Sequence, residues 1–201
     1  MNIAILCSGN GTNLQAIIDS MKSGYISADI ALVVSDNKDA YSLVRARNAR
    51  IETLILNPKE FKGREDFDRE IIKHLKKKKV ELVVLAGFMR LLSSVFIKEY
   101  KNRIMNIHPA LLPSFKGTHG IKDALEYGVK VTGPTVHFVD ERLDHGPIIL
   151  QKAVKVRNDD TEETLLDRVH KEEHKIYPEA IKLFVEGKIK IEGRKAVIGK
   201  G

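Results

Sequence analysis

The sequence has no tryptophan, a single cysteine and only 6% aromatic residues. One cysteine excludes an internal disulfide, and the position of Cys7 in an apolar stretch reads as a small buried hydrophobe. No run approaches the roughly 20 apolar residues needed to cross a bilayer, so no membrane partner is expected. The opening Met1-Asn2-Ile3-Ala4-Ile5-Leu6-Cys7 has no basic segment and too short an apolar stretch for a signal peptide, so a cytoplasmic location is expected. The few aromatics are not interleaved with basic residues, which argues against a stacking platform for single-stranded nucleic acid. Among the seven histidines, the one His-x-x-x-His pair has Lys171, not glutamate, directly after its first histidine, so no His-Glu-x-x-His motif occurs. His170 and His174 stand one helical turn apart, but in a strongly charged segment. No metal is expected.

What is present points to an enzyme-sized soluble domain. A chain of 201 residues that is 43% hydrophobic can bury one sizeable core. The net charge of +7 leaves nucleic-acid binding, attraction of small anions and plain solubility in competition. The densest basic run, Lys76 to Lys79, ends a predicted helix, where cations suit the helix macrodipole.

Apolar periodicity alternates strand and helix. Strands are expected at Asn2 to Cys7, Ile30 to Val34, Ile51 to Leu56, Val80 to Ala86 and Ile104 to Ile107. Helices are expected at 13–23, 41–48, 64–78 and 94–100. Leu14, Ile17, Ile18 and Met21 form one inward stripe, and Phe67, Ile71 and Leu75 another. Thr12 with Gln15 reads as a capping box. This order implies right-handed crossovers and a parallel sheet. Val129 to Val139 and Pro147 to Val156 have no long helix between them, so they are expected to run antiparallel. A long helix follows over 161–186, with Pro178 expected to kink it and Gly187 to end it. The expectation is one α/β domain over residues 1–187, a mostly parallel central sheet with added antiparallel strands, and helices on both faces. Residues 188–201 form a short tail that can add an edge strand.

Three constellations carry chemistry. Ser8-Gly9-Asn10-Gly11-Thr12-Asn13 joins the first strand to the first helix, where ligands bind in open α/β sheets. Exposed N–H groups and the helix N-terminus suit an anion there. No Gly-Lys-Ser/Thr follows, so it is not a P-loop. Leu14 stands where a dinucleotide fingerprint has its third glycine, which favours one monophosphate over a dinucleotide. A purely structural turn is the alternative. Ala86 to Leu92 ends the most strand-like run, and its apolar residues suit a flat heterocycle, or simply core. Asn106 and His108 share one face of a strand end, and Asp144 lies in a turn-rich segment before a later strand. An amide and an imidazole can hold a developing oxyanion, and a carboxylate near His108 would raise its pKa. That set suggests acyl-type transfer through a tetrahedral intermediate. Glu173 falls on the apolar face of the long helix, as a ligand group or one half of a buried ion pair.

Four segments resemble the phosphoribosylglycinamide formyltransferase family, folate-dependent enzymes of purine synthesis. They are Ser8-Gly9-Asn10-Gly11-Thr12-Asn13-Leu14-Gln15-Ala16-Ile17, Leu85-Ala86-Gly87-Phe88-Met89-Arg90, Asn106-Ile107-His108-Pro109 with Leu111-Leu112-Pro113, and Leu143-Asp144-x-Gly146-Pro147-Ile148. The resemblance is collinear from Met1 to about Gly187 and implies a Rossmann-like formyltransferase fold. It implies that Gly11, Thr12 and Asn13 hold the ribonucleotide phosphate and that Glu173 contacts the ribonucleotide. Arg64, Met89, Arg90, Leu91 and Leu92 match folate-contacting positions, and Asp140, Glu141, Arg142 and Leu143 the wall around the pteridine. Asn106, His108 and Asp144 match the catalytic trio. In the implied reaction 10-formyltetrahydrofolate is the cosubstrate, Asn106 and protonated His108 stabilise the intermediate, and Asp144 raises the His108 pKa. The implied partners are two small molecules, with a monomer or weak homodimer. The loop from Ser114 to Gly120 differs among family members. Competing readings are a formyltetrahydrofolate deformylase, a methionyl-tRNA formyltransferase, a non-catalytic nucleotide-binding module and a basic RNA-binding protein. The first two usually carry a further domain.

Overall fold

A computed structural model describes residues 1–199. It resolves into two compact units, Met1–Met105 and the chain from Asn106 on. The fold is α/β, with a mostly parallel sheet and added antiparallel strands.

The first unit alternates strands and helices. They are β1 (Asn2–Cys7), α1 (Thr12–Lys22), β2 (Asp29–Ser35), α2 (Tyr41–Asn48), β3 (Thr53–Ile55), α3 (Arg64–Lys77), β4 (Leu82–Leu85) and α4 (Ser94–Glu99). Strand β5 (Ile104–His108) begins here and ends in the second unit. The order β3-β2-β1-β4 is parallel at every pairing. Ile3, Ala4, Ile5, Leu6 and Cys7 are fully buried, as are Leu82, Val83 and Val84. Strands covered on both faces have to be apolar at every position, and these are. Leu14 and Ile17 of α1, Leu43 and Ala46 of α2, and Phe67, Ile71 and Leu75 of α3 complete the core. Each fully buried side chain of this kind contributes about 1.5–3 kcal/mol relative to exposure. Burial also pushes the Cys7 thiol up to about 11, so it behaves as the small hydrophobe expected.

The expected capping box at α1 is not formed. Gly11 is the N-cap, at φ 74° and ψ 33°, and no side chain caps that end. With Thr12 already helical, its hydroxyl no longer occupies the capping position. A Cβ on Gly11 would lie 2.6 Å from the Ser42 Cβ and 2.8 Å from its Cα, so the turn has room only for glycine.

The second unit contains α5 (Gly120–Tyr127), β6 (Val131–Thr132), β7 (Thr135–Phe138), β8 (Ile148–Gln151), β9 (Val154–Lys155), α6 (Glu162–Val185), β10 (Ile189–Glu192) and β11 (Lys195–Ile198). The pairs β7–β8, β6–β9 and β10–β11 are antiparallel. Sequence periodicity gives no element between Ile107 and Val129, yet α5 forms there. Its start carries no side-chain cap and its first residue is Gly120, so no helix-start signal marks it. Its buried Ile121 packs with Val154, Leu165 and Val169. Helix α6 starts at a capping box, with Thr161 and Thr164 each bonding the other's backbone N–H, and it continues through Pro178. The tail after Gly187 folds back as the hairpin β10–β11. No helix among the described residues is long and apolar enough to cross a membrane.

Candidate active site

In the first unit the glycine-rich loop and the end of β4 are tied together. The Ser8 N–H donates to Gly87 O at 3.0 Å, and the Met89 N–H donates to Ser8 Oγ at 3.1 Å. Gly87 has φ 73°, which reverses the chain there. Arg45 braces the loop from α2, with Nε 2.9 Å from Asn10 O and Nη2 3.1 Å from Asn10 Oδ1. Gly11, Thr12 and Asn13 thus lie at an uncapped helix start beside a fixed cation. That combination attracts an anion.

The predicted folate residues of this unit fall on α3 and on the segment after β4. Arg64 is exposed at the first position of α3. Met89 is 68% and Leu91 59% exposed, two large apolar side chains on the surface two residues apart, while Leu92 is half-buried. The Arg90 guanidinium sits over the Phe67 ring at 5.2 Å. Asp68, buried on α3, accepts the Ser93 N–H at 2.5 Å and so pins the chain just beyond Leu92. Burial raises the Asp68 carboxyl above its ordinary range, against the Ser93 hydrogen bonds and the Arg64 and Arg90 charges that lower it.

The second unit brings the predicted trio together. His108 ends β5 and is 4% exposed, and the Asp144 carboxylate is 8% exposed. His108 Nε2 lies 2.7 Å from Phe115 O. A carbonyl only accepts, so Nε2 carries a proton and donates it. His108 Nδ1 faces Asp144 Oδ2 at 3.6 Å. Both ring nitrogens therefore face acceptors. Asp144 stands at φ 44° and accepts the Gly117 N–H on Oδ2 at 2.8 Å. A Cβ on Gly120 would lie 3.4 Å from His108 Nε2 and 3.2 Å from Phe115 O, so the start of α5 closes over the histidine.

His137 is the partner that sequence reasoning missed. Its Nδ1 donates to Phe138 O at 2.8 Å, which leaves Nε2 to accept from Asn106 Nδ2 at 3.2 Å. The Asn106 amide is thereby oriented, with its second N–H left over from this bond. Burial lowers the His137 pKa, and the nearby His108 lowers it further, against the Phe138 carbonyl and the Asp144 charge. A neutral His137 can accept from Asn106, and a protonated one cannot. Asp144 Oδ1 is 3.8 Å from His137 Nε2, so the carboxylate lies between the two rings. Thr135 was missed as well. Buried on β7, it donates to Ala110 O at 2.7 Å and accepts the Leu112 N–H at 3.1 Å, fixing the chain after β5.

Asp140, Glu141, Arg142 and Leu143 lie in the irregular stretch between β7 and β8, with Glu141, Arg142 and Leu143 exposed. Glu173 is 3% exposed on the inward face of α6, with His170 Nε2 3.8 Å from its Oε2. Among the described residues, no group of three or more His, Cys, Asp or Glu side chains could hold a metal ion.

Residues 1–181 match the family described as "Formyl transferase". The chain is 47% identical over 191 residues to the phosphoribosylglycinamide formyltransferase of Escherichia coli, covering 95% of this chain and 90% of that protein. It is 46% identical over 187 residues to the trifunctional purine biosynthetic protein adenosine-3 of Drosophila melanogaster. That match covers 92% of this chain and only 14% of the much longer relative. The crystal structure of glycinamide ribonucleotide transformylase 1 from Symbiobacterium toebii matches with a TM-score of 0.98 at 50% identity, covering 100% of this chain and 94% of that one.

Proposed function

The chain belongs to the formyl transferase family, and from that premise we propose that it moves a formyl group from 10-formyltetrahydrofolate to the amine of 5-phosphoribosylglycinamide in purine biosynthesis. Residues 1–187 form the transferring domain in this reading. The observation that carries it is the second unit's charge arrangement. An oriented amide, Asn106, and His108, hydrogen-bonded at Nε2 and facing the carboxylate at Nδ1, flank one buried carboxylate, Asp144.

The amine attacks the formyl carbon, and the carbonyl electron pair moves onto oxygen. Asn106 offers the amide N–H that His137 leaves over, and His108 offers its Nε2–H. For His108 this is an exchange of acceptors, with the developing oxyanion replacing the Phe115 carbonyl. Asp144, facing Nδ1, holds the ring in place. As the intermediate collapses, the folate nitrogen leaves with the electron pair of the broken bond. A water carries a proton from the amine to it. None of these steps needs a covalent bond to the enzyme.

The uncapped start of α1 with Gly11, Thr12 and Asn13 suits the ribonucleotide phosphate, and Glu173 is assigned to the ribonucleotide. Met89, Leu91 and Leu143 expose apolar side chains of the kind a pterin ring covers, and Arg64, Arg90 and Arg142 supply cations suited to the anionic folate tail. Leu92, Asp140 and Glu141 are assigned to the folate as well.

The test is formyl transfer from 10-formyltetrahydrofolate, with phosphoribosylglycinamide and with water as alternative acceptors. Formylated ribonucleotide is the expected product. Formate released at the same rate without the ribonucleotide would contradict the reading and favour a deformylase.

A further inference from the structure

The stretch from Asp140 to Gly146 carries Asp144, and its neck is narrow. A Cβ on Gly146 would lie 1.9 Å from Phe138 O, so the returning chain runs hard against β7. The Asp140 carboxylate closes the neck, with Oδ2 2.7 Å from His145 Nδ1 and Oδ1 accepting the Arg142 N–H at 3.0 Å. Inside that ring Asp144 adopts φ 44°, in the left-handed region that aspartate tolerates better than most non-glycine residues.

One side chain reaches this neck from outside the loop. Arg194 Nη1 is 3.2 Å from His145 Nδ1 and 3.1 Å from His145 Nε2. A group equally close to both ring nitrogens cannot lie along either lone pair, so the guanidinium packs against the imidazole ring itself. Its charge also acts on Asp140. Burial raises that carboxyl, but the His145 and Arg142 hydrogen bonds and the His145 and Arg194 charges more than offset it and hold it low. Arg194 is the second residue of the two-residue turn between β10 and β11, after Gly193 at φ 60°. Glycine with positive φ at the first turn position is the pattern of a tight type II′ hairpin. Strand β11 packs on β8, the strand by which the chain leaves the loop. The hairpin is thus seated on one side of the loop and returns a cation to its neck.

We propose that the C-terminal hairpin positions the loop for formyl transfer: Arg194, packed on His145, clamps the loop's neck and so holds Asp144 beside His108. Arg194 is a positioning residue, exposed and acting through His145. The kinetic half of the test rests on the function proposed above, and the structural half does not.

Arg194→Met keeps the stem and removes the charge, Arg194→Lys keeps a cation without the planar fork, and Lys190→Ala alters the same hairpin at its ion pair with Glu192. Two readouts apply to the full chain. The first is hydrogen exchange of the Gly117 amide, which bonds Asp144. The second is kcat with KM for each substrate. In Arg194→Met, Gly117 exchange should speed up about fivefold and kcat fall by a similar factor, the scale of an exposed charge interaction. KM for formyl folate should rise, KM for the ribonucleotide should hold, Arg194→Lys should recover part of the loss, and Lys190→Ala should match wild type. Unchanged Gly117 exchange in a folded Arg194→Met protein would overturn the proposal, even if its melting temperature fell. If Arg194→Met does not fold, the same comparison is made in Arg194→Lys, where wild-type exchange would overturn it. A wild-type chain that transfers no formyl group would refute the assigned reaction, and Gly117 exchange would still decide the clamp.

Discussion

The two units offer a ligand different things. From Met1 to Met105 the candidate binding loop presents mostly main chain, namely the uncapped start of α1 and the turns at Gly11 and Gly87. From Asn106 on, the candidate groups are side chains, and each is aimed by another group. His137 aims Asn106, Phe115 O and Asp144 aim His108, and the Gly117 N–H aims Asp144. Main-chain groups are fixed by the fold itself, so a change there costs binding or stability. Side-chain groups are fixed by a network, so a change there costs the chemical step while binding survives.

The strongest challenge to that contrast is Asp144→Asn. The amide oxygen can still accept the Gly117 N–H, but the charge facing His108 Nδ1 is gone. We expect kcat to fall at least about a hundredfold in steady-state assays with little change in either KM. A large rise in KM with kcat preserved would move Asp144 to the binding side of the comparison.

Next is His137→Ala, which frees the Asn106 amide to rotate. Small displacements of a catalytic group can cost up to about a hundredfold, and a loss of about tenfold or more in kcat is expected. A crystal structure should show Asn106 in a new orientation, and an unmoved Asn106 with full activity would remove His137 from the account.

Gly11→Ala tests the other unit. The added Cβ meets Ser42 backbone and side chain at a residue whose φ is 74°. Loss of about 1–3 kcal/mol of stability in urea unfolding is expected, the cost of a non-glycine residue held in strained backbone. KM for the ribonucleotide should rise while kcat stays within about twofold, the unchanged barrier meaning that only uniform binding was lost. A selective loss of kcat would erase the distinction between the units.

The smallest effect is on stability against pH. His137 titrates below its ordinary value of 6.5 in the folded chain. Above that value both states hold it neutral, and its contribution is complete. As pH falls below it, the unfolded chain takes up a proton that the folded chain resists, so stability is lost at up to about 1.4 kcal/mol per pH unit until the folded value is reached. His137→Gln should remove this slope from unfolding free energies measured between about pH 6.5 and about pH 5. An identical slope in the variant would assign it to another group.

The same contrast explains what the sequence could tell. The first unit was legible because its signals are local. Uniform apolar runs gave β1 and β4, the stripe Phe67, Ile71 and Leu75 gave α3, and glycines marked the loop. The exception, the absent capping box, turned on a one-residue shift of the helix start onto Gly11. In the second unit the candidate trio could be named by residue type and by family resemblance. Most of what aims it was not, because the partners of Asn106 and Asp144 are distant along the chain. Asn106 and His137 are 31 residues apart, and Gly117 and Asp144 are 27 apart. No periodicity encodes which carbonyl or ring a side chain will meet. Helix α5 was missed because it starts at a glycine without a side-chain cap, and Arg194 because an exposed turn arginine looks like any other solvated charge.

The central claim is that side-chain donors in the second unit hold the oxyanion of a formyl transfer, and Asn106→Ala tests it most directly. The measurement is kcat for transfer from 10-formyltetrahydrofolate to phosphoribosylglycinamide, in variant protein shown to be folded by its unfolding transition. Loss of one such donor costs about 10²–10³ in rate, and that drop is predicted, with both KM values near wild type. Turnover close to wild type in the folded variant would contradict the account.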